Sequence, residues 1–437
     1  YPPHLIYAFV PTAAGMGLMV IFHCLLGGWN MVGLARVLGA RPIGALAAGA
    51  YFALAAMLPL FTWPSGMEPI AWFPLGIAAI EMISRGGGVR WMVGLILAVA
   101  MPVLAGGYQT TAYMFAAYGY YTVLLLVDRR RPFDGESLRW GTTALRVGIC
   151  FTLGIALAAP QLLATIELAQ HSYRSEVMQV ADVVPYGRRS VAEATKHLLV
   201  PAVELKELRG YIGVLVLGVG VLGLFVVDGT TLFCITLLAY GVLSYIAPQW
   251  FLELRADFPV LGRFRLPARE LFLAKFALAL LAARGISMLL EPQKRRVRMG
   301  ISVATGVTCL LLGAWYRGGG AVASLAVAGA VVMFSGWVLV KRQRYIGAAA
   351  LSLVLASLLA YDAIGFSRNN IVVPYAHDGA RVLYEAEDMY QRLGEMAGSR
   401  RTVVLTRFDR RLMTKNAQLF GLFSPFDYDP LSPSMHE

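Results

Sequence analysis

Three arginines crowd the start of a long apolar stretch. In LGRFRLPARELFLAKFALALLAARG (261–285), Arg263, Arg265 and Arg269 precede a segment apolar enough to cross a bilayer, and Lys275 lies inside it. A guanidinium presents a planar fork of N–H donors that matches phosphate or carboxylate oxygens two at a time, so this pattern offers anion binding. Pro267 suits the first turn of a helix. Arg269 would then sit beside an amide-rich N-terminus, where the helix dipole also favours an anion. Lys275 would lie about 12 Å further in at 1.5 Å per residue. An ionisable group at that depth is a candidate functional group, although a lysine stem can also snorkel. Arg284, near the inner end, is expected to snorkel to the cytoplasm. The plainer alternative makes the three arginines loop residues paired with Glu253, Asp257 or Glu270.

Other polar residues stand at the mouths of apolar runs. Glu68 opens EPIAWFPL, Gln109 sits in LAGGYQTTAYM, and APQLLATIELAQHSYR ends with Glu167, His171 and Arg174. Singly, each also reads as a cap or a satisfied loop residue; together they would line one site. No P-loop, GxSxG, HExxH or GxGxxG occurs in a supporting context. DYD (427–429) imitates a metal-binding DxD, but no strand precedes it and no partner ligand accompanies it, so no metal site is assigned. The four cysteines all fall in apolar runs without a CxxC, which gives neither a disulfide framework nor a zinc site.

These residues must be positioned by membrane helices. The 437-residue chain is 58% hydrophobic and 15% charged, against about 25% charged in a soluble domain. Its net charge of +12 sits in short clusters between apolar runs, the mark of a polytopic protein against anionic lipid and not of nucleic-acid binding. About twelve runs are long enough to span: roughly 9–35, 42–62, 68–84, 89–105, 108–127, 141–165, 211–227, 230–247, 268–290, 298–315, 321–340 and 345–364. GVLVLGVGVLG (213–223) reads as close helix packing through small residues. Alternate turns carry the cations: Arg36 and Arg41; Arg85 and Arg90; Arg129, Arg130, Arg131 and Arg139; Lys294, Arg295, Arg296 and Arg298; Lys341, Arg342 and Arg344. By the positive-inside rule those turns are cytoplasmic. Tyr1, the longer loops near 166–210 and 248–267, and the polar tail are then outside, which puts the arginine mouth outside, against the trend. The chain divides into a multi-helix transmembrane domain (1–365) and a tail (366–437) in which YEAEDMYQRLGEMAG reads as a helix and RTVVLTRF as a strand, the start of a small α/β extracytoplasmic domain. With Tyr1 first and SPSMHE last, the sequence reads as a piece lacking material at both ends.

The order of several segments carries a resemblance. YPPHLIYAFVPTAAGMGLMVIFHCLLGGWNMVGLARVLGA, AWFPL, LAGGYQTTAYM, APQLLATIELAQHSYR, YIGVLVLGVGVLGL, FPVLGRFRLPARELFLAKFALALLAARG and NAQLFGLFSPFDYDPLSP resemble, in sequence and order, bacterial YfhO-like membrane proteins. That family is similar to the GT-C superfamily of polytopic glycosyltransferases. The resemblance implies an all-α GT-C-like fold in the bacterial cytoplasmic membrane. It also implies an inverting transfer of a sugar from a polyprenyl-phosphate donor to an extracytoplasmic glycan or lipid acceptor. Arg263, Arg265 and Arg269 would stand beside the donor phosphate. Glu68, Gln109, Glu167, His171, Arg174 and Lys275 complete the expected substrate-binding set. LAGGYQ stands where a Gly-His-Pro-Gln-like run is common, so Gln109 matches and Tyr108 departs; Asp427 replaces a common glycine. Such enzymes place an acidic base in the first outer loop, of which YPPH looks like the end, so the base is expected upstream of Tyr1. An attacking hydroxyl must lose its proton to such a base, while arginines support a phosphate leaving group. A divalent cation is compatible with this chemistry, though no metal motif is seen. Two other readings fit part of the pattern: an O-antigen-ligase-like or polymerase-like enzyme, and a non-enzymatic lipid or solute transporter or flippase. The last predicts an internal repeat, and none is visible.

Overall fold

The computed structural model describes residues 1–60, 64–127, 140–170, 189–199, 210–257, 264 and 267–289. The three expected spans after residue 290, the basic turns near 128–139, 294–298 and 341–344, and the whole tail lie outside the described residues.

Among the described residues every regular element is a helix. After a 3-10 segment, Pro2–Ala8, come α1 (Thr12–Val37), α2 (Pro42–Tyr51), α3 (Pro64–Ile70), α4 (Phe73–Ser84), α5 (Val89–Leu104), α6 (Tyr108–Val127), α7 (Trp140–Leu157) and α8 (Ala159–Gln170). There follow α9 (Val191–Leu199), α10 (Val214–Gly223), α11 (Gly229–Ile246), α12 (Gln249–Ala256) and, after a 3-10 turn at Pro267–Glu270, α13 (Leu271–Leu289). Among the described residues, seven candidate spans are long and apolar enough to cross a membrane. The expected span at 89–105 is a shorter apolar helix, Val89–Leu104. The one at 211–227 is only the ten-residue α10, about 15 Å of rise, because the chain turns between Leu224 and Val227 before Asp228 caps α11.

The exposed surface explains the environment. On α1, Leu18, Ile21, Phe22, Leu25 and Trp29 are exposed, while Met19, His23, Met31, Leu34 and Ala35 are buried. An apolar stripe facing outward at helical spacing has no water-soluble purpose; it suits lipid. The protein is a multi-pass membrane protein.

The organising element is α13. Nearly every described side chain from Leu271 to Ala283 is buried, on all faces, as expected for a helix apolar all round. α2, α10 and α11 pack around it. Small residues permit the approach: a Cβ on Gly223 would meet the Leu281 carbonyl oxygen at 2.2 Å, and one on Gly285 would meet that of Val219 at 2.1 Å. Without a hydrophobic force between helices in lipid, such backbone contact carries much of the association. Phe52, Phe73 and Phe233 pack around Phe276 to fill the centre.

One end of the bundle gathers basic residues. Arg85 donates to the Val37 carbonyl at 3.0 Å, and the Arg41 amide donates to Ser287 Oγ at 2.8 Å. Arg284 does not snorkel freely there. Its two terminal nitrogens each donate to one Asp228 oxygen at 2.7 Å. Asp228 also caps α11 by accepting from the Thr231 amide. Burial pushes the Asp228 carboxyl up, but Arg284 and Thr231 outweigh it and hold it below the usual carboxylate range. The opposite end, the Tyr1 end, carries Tyr1, Glu68, Gln109 and Arg269.

Candidate functional site at the Tyr1 end

Three elements converge at this end. The Gly106–Gly107 turn before α6 lies directly on α3: a Cβ on Gly107 would meet the Ser65 carbonyl oxygen at 2.0 Å. Ser65 is one helical turn before Glu68, so α3 carries that glutamate to the same mouth as Gln109. The 3-10 turn ahead of α13 brings Arg269, whose Nη1 donates to Gln109 Oε1 at 3.5 Å. α8 joins from the side, with Tyr108 and Thr165 hydroxyls 2.6 Å apart. Glu167 lies two residues beyond Thr165 and is exposed. Of the expected set, Arg269, Gln109, Glu68 and Glu167 therefore reach one end of the bundle, the first two in contact. Arg263, Arg265, His171 and Arg174 lie outside the described residues.

Lys275 is placed differently. It is buried, and its Nζ donates to the Ala55 carbonyl at 2.9 Å. The helical path through α2 is broken there, passing into a π-turn at Phe52–Met57 and a 3-10 turn at Leu58–Leu60. Pro59 has no N–H to give to the carbonyl four residues back, and an unmet carbonyl in hydrocarbon costs several kcal/mol. Lys275 donates to that carbonyl, so its partner is backbone and not the mouth.

Two polar networks at this end contain residues that the sequence reading did not assign. The first encloses Glu270. Arg255 Nη2 lies 2.9 Å from its Oε1 and donates to the Tyr113 hydroxyl at 2.6 Å, while Ser244 donates to Glu270 Oε2 at 2.7 Å. Burial lowers the Arg255 pKa, but Glu270 more than restores it, so the guanidinium stays charged. Glu270 thus serves Arg255.

The second network centres on Glu68, whose side chain is 2% exposed. His4 Nε2 lies 3.0 and 3.1 Å from its two oxygens, and the His4 side chain is 42% exposed. Behind it, His23 Nδ1 lies 2.7 Å from the Met19 carbonyl oxygen, which can only accept, so Nδ1 carries the proton. Nε2 then accepts from the Tyr1 hydroxyl at 2.6 Å, and the Trp72 indole donates to that hydroxyl at 3.0 Å. Burial, with the Glu68 charge adding to it, holds the Tyr1 and Tyr7 phenols above their usual range. The sequence did hold a signal: His23 stands in the middle of an apolar run, and a polar ring there demands a partner.

Among the described residues no group of three or more His, Cys, Asp or Glu is placed to hold a metal ion. Comparison of the chain with protein-family models, with curated proteins and with solved structures gave no match.

Proposed function

We propose that this protein is a GT-C-like, inverting glycosyltransferase that takes a sugar from a polyprenyl-phosphate donor and delivers it to a glycan or lipid acceptor outside the bacterial cytoplasmic membrane. The observation that carries this reading is the meeting of Arg269 and Gln109 at 3.5 Å where the 3-10 turn enters α13, an anion-seeking fork at a membrane helix mouth. The alternating cation pattern supports an outward-facing Tyr1 end. Arg263 and Arg265, six and four residues before Arg269, would complete the phosphate-binding set. The reading includes about twelve spans, three of them after residue 290, and an extracytoplasmic C-terminal domain.

The test is donor affinity, measured with polyprenyl-phosphate glucose and polyprenyl-phosphate mannose on detergent-solubilised protein. A charge-assisted hydrogen bond contributes about 1.5–3 kcal/mol, so Arg269→Ala should weaken binding about ten- to a hundredfold. Arg269→Lys should restore only part, because a point charge cannot reproduce the fork. Arg90→Ala, an exposed cation stacked on Trp91 at the opposite end, should bind like the parent. If Arg269→Ala also binds like the parent, the phosphate-site reading fails.

A further inference from the structure

The proposed transfer needs a proton acceptor, which the sequence reading expected upstream of Tyr1. We propose instead that His4, oriented by Glu68, is the general base of this site; the inference rests on the transferase reading above. An ionised carboxylate can only accept hydrogen bonds, and both Glu68 oxygens lie within 3.1 Å of His4 Nε2. In the neutral ring Nε2 therefore carries the proton, and Nδ1 has the lone pair, on a side chain that is 42% exposed. A buried carboxylate that fixes the tautomer of a more exposed imidazole is the arrangement that makes histidine an effective base in nucleophilic catalysis.

The surroundings fix the ring in place. Pro2 and Pro3 stiffen the segment that carries His4. Tyr1, on the same segment, is anchored to α1 through His23 and to the α3–α4 junction through Trp72. Its ring meets His4 edge-on, with centroids 5.0 Å apart. None of these bonds uses His4 Nδ1. α3, which carries Glu68, is the element that the turn before Gln109 rests on. Base and phosphate-binding side chains thus share one mouth.

The acceptor hydroxyl loses its proton to His4 Nδ1, and its oxygen electron pair forms the new bond to the anomeric carbon. The bond from that carbon to the phosphate oxygen breaks, and its electron pair leaves with polyprenyl phosphate beside Arg269. The imidazolium is stabilised by Glu68 and later returns its proton to water. Glu68 touches no reacting atom and is a positioning residue.

The experiment uses the whole chain in detergent with polyprenyl-phosphate glucose and polyprenyl-phosphate mannose as donors and crude envelope glycan and lipid as acceptors. Release of polyprenyl phosphate and donor binding are followed separately. General-base catalysis contributes about 10²–10⁴-fold, so His4→Ala should lower kcat by that factor with donor affinity unchanged, and added imidazole should restore part of the rate. Glu68→Gln should lower kcat at least tenfold with KM unchanged, and Glu68→Asp should recover part of it. Melting temperatures show whether each variant is folded; should His4→Ala unfold, His4→Gln takes its place. A folded His4 variant that keeps kcat within twofold overturns the base while leaving the transferase reading intact. A parent protein that binds neither donor and releases no polyprenyl phosphate overturns both.

Discussion

Two glutamates at the Tyr1 end are equally buried and differently employed. Glu270 is closed in by Arg255 and Ser244, and Arg255 is itself buried. Glu68 is as deeply enclosed, yet it holds a histidine that is 42% exposed. Burial alone therefore does not mark a reactive carboxylate. What differs is the partner: a guanidinium keeps its charge and locks the pair, whereas an imidazole can take up and release a proton at neutral pH. Glu270 holds the end of the bundle together, and Glu68 passes its burial on as orientation of an accessible ring.

The largest loss is expected at Glu270. Glu270→Gln leaves Arg255 as an uncompensated buried charge, a loss of about 3–5 kcal/mol, and should appear as a large drop in melting temperature in detergent. Replacing both partners, Arg255→Met with Glu270→Leu, should recover most of it. A double variant as unstable as the single one would show that Tyr113 and Ser244, not the ion pair, hold this end.

A second carboxylate–arginine pair tests whether enclosure sets the size of that loss. Asp228 is 36% exposed beside Arg284, so Asp228→Ala should cost only about 2 kcal/mol, from the cap and a solvent-screened pair together. Because its folded-state pKa is depressed, its contribution is complete above the unfolded aspartate pKa and is lost as pH falls through the folded value. The parent should accordingly lose more stability than Asp228→Ala on acidification below about pH 4, the reference range for aspartate. Parallel melting curves for the two at low pH would contradict the pairing.

Smaller still is the expected stability change in Glu68→Gln, about 1 kcal/mol or less, since an amide can still bond to His4. Large loss of turnover with small loss of stability is the signature that separates Glu68 from Glu270. The smallest effect belongs to Glu253, an exposed carboxylate on α12 that accepts from Gln249 at 3.0 Å. Glu253→Ala should shift neither melting nor turnover measurably.

Much of the helical layout was legible because hydropathy over about twenty residues is a local property. Among the described residues, seven long apolar helices stand where apolar runs fall, and the close packing expected of 213–223 is seen at Gly223. The length of α10 was not legible, because the turn after Gly223 keeps an apolar composition, Leu224 to Val227, that reads as more span.

Arg269 and Gln109 were both readable as mouth residues, but not their contact, since 160 residues separate them. Lys275 shows the same limit more sharply. Its depth followed from counting 1.5 Å per residue, yet its partner is a carbonyl 220 residues away that Pro59 leaves without its usual donor. By itself the sequence determined a membrane protein of apolar helices, because composition and periodicity act on neighbours along the chain. Only the tertiary structure decided which charges are consumed as structure and which remain available, because a buried charge takes its role from the partner that meets it across the bundle. Arg255 fell to Glu270, Arg284 to Asp228, and Glu68 to the histidine four residues into the chain.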